Sequence, residues 1–90
     1  MATYLVSYDL NREGGKEESY PELIAAIRRD GGVKILFSEW LVRSAGNGAA
    51  VRDRYRAHMD GNDRIFVTSV EDWAYSNIMN EQQARPMLPG

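Results

Sequence analysis

The chain contains no cysteine, which removes disulfides, cysteine-ligated zinc and iron–sulfur centres and thiol catalysis together. Histidine is nearly absent too: His58 stands alone, so one chain cannot assemble a histidine-rich metal site. No apolar run approaches the ~18 residues of a membrane span. Met1 leads straight into a strand-like segment without a charged region and signal core, so a cytoplasmic location with no membrane partner is expected. Positive charge is in short supply, with 11 Lys+Arg against 13 Asp+Glu and a net charge of -2. That balance excludes a generally basic nucleic-acid-binding surface and leaves room only for a local patch. At 90 residues the chain is too short for two cores, so a single domain is expected.

Several segments carry clear local signals. Thr3-Tyr4-Leu5-Val6-Ser7-Tyr8-Asp9-Leu10 is rich in aromatic and branched residues and reads as a strand, with Tyr4, Val6, Tyr8 and Leu10 on one face. Asn11 to Glu18 is polar, contains Gly14-Gly15, and reads as a loop. Ser19 and Glu22 have the spacing of a capping box around Pro21, and Tyr20, Leu23, Ile24 and Ile27 follow at helical intervals. Arg28 and Arg29 suit the last turn, and Gly31-Gly32 supplies the stop. Val33 to Ser44 is strand-like on both faces and too long for one ordinary strand. It is therefore read as two strands, or one strongly bent one, with the break near Ser38-Glu39.

Ala49 to Asp60 reads as a second helix with Val51, Tyr55 and Met59 as its core stripe and Asn47 placed to cap it. Asp63 to Val70 is a further strand, and Glu71 to Asn80, with Trp73, Tyr75 and Ile78, is a short helix or an edge strand. The resulting order, β-α-β-β-α-β, is that of an α+β, ferredoxin-like domain over residues 1–80, its two helices on one face of an antiparallel sheet. Residues 81–90, with Pro86 and Pro89, are expected to form a flexible tail. Large apolar side chains on both faces of the first strand and of Val33–Ser44 imply that the second sheet face is covered. A twofold-related copy is the expected cover, giving a homodimer with Leu5, Ser7 and Trp40 at its interface.

Asp9 is the candidate for chemistry. A carboxylate closing an apolar strand beside a polar loop can hold Mg²⁺, and in a symmetric dimer two Asp9 side chains could share one ion. Such a metal activates water and steadies an attacked phosphodiester. The alternative is an Asx turn, in which the carboxylate bonds its own backbone. Arg12, Arg43, Arg52 and Arg56 are the candidate phosphate contacts, Arg52 and Arg56 sharing a helix face. His58 reads as a partly exposed histidine near a helix end, with no nucleophile at a recognisable spacing. Asp60-Gly61-Asn62-Asp63 lacks the ligand alternation of a calcium loop and reads as a turn. Trp40 and Trp73 read as packing or dimer contacts rather than base-stacking platforms.

The run Tyr4-Leu5-Val6-Ser7-Tyr8-Asp9-Leu10 resembles the opening strand of the CRISPR-associated Cas2 proteins, which ends in tyrosine, aspartate and an aliphatic residue. The order continues with a helix, Gly31-Gly32, the strand bearing Phe37-Ser38-Glu39-Trp40, a second helix and Asp63-Arg64-Ile65-Phe66-Val67. Trp40, Val51-Arg52-Asp53 and Trp73 are similar to features of small Cas2-like proteins of the SinR family. The resemblance spans roughly residues 3 to 78. It implies a dimeric ferredoxin-like domain of the Cas2/VapD group, with Asp9 as the metal ligand at the dimer axis of an endonuclease acting on RNA or DNA. It equally implies a second role known in that family, a non-catalytic scaffold for nucleic acid or another protein subunit.

Overall fold

The longest strand, β1 (Ala2–Asp9), sits inside a four-stranded antiparallel sheet of order β2-β3-β1-β4 in a computed structural model describing residues 1–90, the Glu13 side chain excepted. Helix α1 (Pro21–Arg29) leads to the hairpin of β2 (Val33–Leu36) and β3 (Glu39–Ser44). Helix α2 (Gly48–Arg56) then leads to β4 (Arg64–Ser69). A single turn of helix, α3 (Glu81–Ala84), lies near the end. This is an α+β architecture compatible with the ferredoxin-like class.

The long strand-like run does break where expected, with Phe37-Ser38 forming the turn between β2 and β3. Asn47 caps α2 by accepting the Ala50 N–H at 2.9 Å, and that helix ends at Arg56, short of the expected Asp60. Helix α1 begins one residue later than a Ser19 cap would place it, with Tyr20 as N-cap and Pro21 as its first residue. Its end is a Schellman motif. Gly31, at φ 76°, donates to the Arg28 carbonyl at 3.0 Å, and Gly32 donates to the Ile27 carbonyl at 2.9 Å.

Strand alternation sorts the side chains into two layers. Val6 of β1 lies opposite both Trp40 and Val67, so these residues share the helix-side face with Tyr4, Tyr8 and Val42. Leu23, Ala26 and Ile27 of α1 and Val51 and Tyr55 of α2 close over them, all buried. Trp40 is only 2% exposed, donates its indole N–H to the Tyr8 hydroxyl at 2.9 Å, and lies under the Arg28 guanidinium. It is therefore a core residue on the helix side, which corrects the expectation that it lines a dimer interface on the other face.

Much of the second face is covered by the chain itself. Val70, Ile78, Met87 and Leu88 pack with fully buried Ala84 against Leu5, Val33, Ile35 and Leu41. This cover is pinned along its length. Val70 N–H donates to the Thr3 carbonyl at 2.9 Å, Met79 N–H to Ile35 at 2.9 Å, and the Asn80 amide to Lys34 at 2.8 Å. Thr3 and Arg43 donate to the carbonyls of Met87 and Pro86. Ala84, Met87 and Leu88, within the segment expected to be a flexible tail, thus pack against the sheet, and Leu5, assigned to a dimer interface, lies beneath them. The sequence reading missed this because residues 71–79 adopt neither helix nor strand, so no periodicity marks them.

Ala84→Glu tests the cover directly. A carboxylate at this fully buried position has no partner, and burying it costs several kcal/mol, about 2–7 even for a neutral polar group. The expected outcome is detachment of residues 79–88 rather than global unfolding. In hydrogen exchange the Met79 amide loses protection while the β1 amides keep theirs. Unchanged protection at Met79 would show that the segment does not depend on this contact.

Candidate functional site

The C-terminal segment stops short of one end of the second face, and that open end holds Asp9. Register places Asp9 opposite Arg64, and Ser7 opposite both Phe66 and Glu39. All five belong to the second face by alternation. Ser7 donates to the Glu39 carboxylate at 3.3 Å. The side chains of Asp9 and Arg64 are exposed and make no hydrogen bond or salt bridge to any described residue. Phe66 beside them is 67% exposed. Together with Tyr8 and Ile65 they line a shallow depression of about 130 Å³. Asp9 does not close an Asx turn among the described residues, which leaves its carboxylate available.

The candidate arginines are not gathered into one row. Arg12 grips Asp60 through Nε and Nη2 at 3.1 and 2.7 Å, donates to the Ser19 carbonyl at 2.8 Å, and lies 4.5 Å from the Tyr20 ring centre. Arg56 donates to the carbonyls of Asp63 and Gly61 at 2.8 and 3.1 Å. Arg52 pairs with its neighbour Asp53 at 2.9 Å, and Arg43 holds the C-terminal segment. Arg12 and Arg56 thus converge on the 60–63 turn, whereas Arg43 and Arg52 lie elsewhere.

That turn is not a cation loop. The buried Asp63 carboxylate accepts the Asn11 N–H at 2.8 Å, the Tyr20 hydroxyl at 2.8 Å and the Asp60 N–H at 2.7 Å. Burial pushes its pKa up, and the Asp60 and Asn11 N–H bonds, the Tyr20 hydroxyl and the Arg12 charge outweigh that, leaving it below its ordinary value. The Tyr20 hydroxyl accepts the Arg12 N–H at 2.7 Å, so one knot ties the loop after β1 to the turn before β4. A second network links Lys34 to Glu17 at 2.7 Å, and Glu17 to the Tyr8 hydroxyl. Burial and the Glu17 carboxylate raise the pKa of that hydroxyl and keep it protonated. Both networks join residues distant in sequence, and no local pattern announces them.

Next to the open end, between the β2–β3 hairpin and the C-terminal segment, runs an apolar groove of about 290 Å³. Leu36, Leu41, Trp73, Tyr75 and Ile78 line it, with Glu39 at its mouth. Trp73 stacks on Tyr75 at 5.9 Å between ring centres and donates to the Pro89 carbonyl at 2.7 Å. The sequence reading anticipated a packing role for Trp73 but not the groove.

The described residues contain no group of three or more acidic or histidine side chains able to hold a metal ion. At this end of the sheet a single protomer offers the exposed Asp9 carboxylate, with the half-buried Glu39 carboxylate on the same face opposite Ser7. Mg²⁺ keeps several of its waters and needs only one or two carboxylates, so this donor set fits a hydrated Mg²⁺ and not a cage of protein ligands. No family model matches the chain, and no solved structure matches it. No helix among the described residues is long and apolar enough to cross a membrane.

Proposed function

We propose that this chain is a Cas2-like, ferredoxin-like domain that acts on nucleic acid as a twofold dimer. In this reading Asp9 of the two protomers holds Mg²⁺ and makes the protein an endonuclease. The observation that carries it is the position of Asp9: an exposed carboxylate with no described partner, at the end of an inner strand, on the uncovered part of the sheet. The element order β1-α1-β2-β3-α2-β4 and the strand order agree with the fold that the Tyr8-Asp9-Leu10 resemblance implies. When bound, Mg²⁺ supplies an activated water and charge stabilisation for phosphodiester cleavage. The chain's own contribution is to hold Asp9 at the strand end, with Phe66 beside it to stack on a base.

A second reading is a non-catalytic module that binds nucleic acid or another protein subunit, and a different observation favours its protein-binding form. Arg12, Arg43, Arg52 and Arg56, the candidate phosphate contacts, are all engaged within the chain rather than held open for a phosphate backbone.

The discriminating experiment is a cleavage assay on single-stranded RNA and duplex DNA with Mg²⁺, Mn²⁺ or EDTA. Wild type and Asp9→Asn are compared after far-UV circular dichroism shows equal folding, as expected for an exposed position. The nuclease reading expects metal-dependent cutting that falls to the EDTA level in Asp9→Asn. Cutting that survives the substitution removes Asp9 as the ligand. Binding without cutting by either protein leaves the non-catalytic reading.

A further inference from the structure

The β2–β3 hairpin tip carries the most exposed aromatic side chain of the protein, Phe37 at 86%, followed in the chain by Ser38 and preceded by Leu36, itself 44% exposed. An aromatic ring left in water at the apex of a tight turn contributes nothing to its own fold. The apolar groove adjoins the hairpin, since the two residues that flank the turn, Leu36 and Glu39, both line it. Knob and hole are therefore neighbours on one molecule. Such adjacency is what an isologous contact needs, because a half-turn about an axis passing between them puts each knob into the other copy's hole.

The charges around the groove are complementary to themselves in the same operation. Glu39 is the only charged side chain lining the groove among the described residues, and it accepts only the long Ser7 bond. Arg64, on the same face across β1, makes no salt bridge to a described residue. A twofold axis near this end of the sheet lets each Glu39 meet the partner's Arg64, so that neither charge is buried alone.

We infer that the groove is occupied by Phe37 of a second copy of this chain, the two hairpins exchanging across a twofold axis. The inference deepens the dimer on which the proposed function rests, by naming the side chain and the hole. The Trp73–Tyr75 stack is the wall against which the incoming ring packs, and Leu41 and Ile78 form the floor.

Sedimentation analysis of three proteins and one mixture tests this. Phe37→Ser removes the knob, and Ala74→Glu puts a charge on the exposed groove rim; neither position is buried, so both variants are expected to keep the far-UV circular dichroism of wild type. The wild type is expected to be a dimer at micromolar concentration, and each variant alone to dissociate at least ~10-fold more readily. Mixing the two variants is expected to recover a heterodimer, since Phe37 of Ala74→Glu still meets the intact groove of Phe37→Ser. A wild type that stays monomeric to about 100 µM overturns the inference, and with it the dimer of the proposed function. Phe37→Ser that dimerises like wild type, or a mixture that gives no heterodimer, overturns this contact alone and leaves the Asp9 cleavage assay to decide the function on its own.

Discussion

Asp63→Ala is expected to destabilise the protein by about 3 kcal/mol. The carboxylate is 5% exposed and accepts three hydrogen bonds, from two backbone N–H groups and the hydroxyl of Tyr20, itself 1% exposed. Alanine removes all three acceptor contacts at once, leaves the Asp60 N–H without a partner and leaves the Asn11 N–H only its longer bond to the Tyr20 hydroxyl at 3.2 Å. For a domain of this size the loss corresponds to a fall in Tm of roughly 15 °C. Asp63→Asn keeps the shape but offers one acceptor oxygen and turns an amide N–H₂ towards a backbone donor. A loss of about 2 kcal/mol is expected there. Urea unfolding of the three proteins checks the order.

The same carboxylate sets an acid limit. Its pKa in the folded state lies below the ordinary value, so the unfolded chain takes up the proton first as pH falls. The stabilisation is therefore fully present above about pH 4, near the unfolded pKa, and is lost as pH drops through the folded one. Asp30, which accepts the Tyr55 hydroxyl at 2.7 Å and Arg54 at 3.0 Å, is lowered in the same direction and adds to the slope. The urea midpoint of wild type should fall more steeply below pH 4 than that of Asp63→Asn. Parallel acid limbs would show that Asp63 does not carry this dependence.

The other large effect is expected at Gly32. A Cβ built there comes 2.5 Å from Ile27 Cγ2, 2.7 Å from the Ile27 carbonyl oxygen and 3.2 Å from Val42 Cγ1. Ile27 is fully buried and stiff at χ1, and its carbonyl is already held by the Gly32 N–H, so neither atom can yield cheaply. Gly32→Ala should cost about 3 kcal/mol, at the upper end of what overpacking does. Gly31→Ala meets no neighbouring atom, and its cost is only that of a left-handed backbone at φ 76°, about 1 kcal/mol. Adjacent glycines at one helix end thus differ about threefold in expected cost, and thermal unfolding of the two variants separates steric from conformational need.

Much of the fold was legible because its signals are local. The Gly31-Gly32 stop, the Asn47 cap, the break at Phe37-Ser38 and the alternation of Tyr4, Val6 and Tyr8 each act within a few residues. The second face was also read as covered, from large apolar side chains on both faces of the first strand and of Val33–Ser44, and part of it is covered by the chain itself. What covers it was not legible, since Val70, Ile78, Ala84 and Leu88 reach the sheet through irregular backbone, including Asn77 and Asn80 at positive φ. Trp40 was misassigned because its face depends on register, and register is fixed only by pairing Val6 with it. Asp9 could be singled out from its strand, whereas Asp63 could not. Its three bonds come from Asn11, Tyr20 and Asp60, and two of those lie more than forty residues away.

The placement of β1 between β3 and β4 has a consequence for how the chain is made. Ribosomes deliver β1 first, yet its partners on either edge arrive only with Glu39–Ser44 and Arg64–Ser69, and the cover of its second face comes last. Throughout most of synthesis Tyr4, Leu5, Val6 and Tyr8 form an apolar strand with two bare edges, the state most open to pairing with another nascent chain. Messages truncated before residue 69 should accordingly yield aggregates rather than a smaller folded domain, which makes completeness of translation itself a condition for keeping this protein in solution.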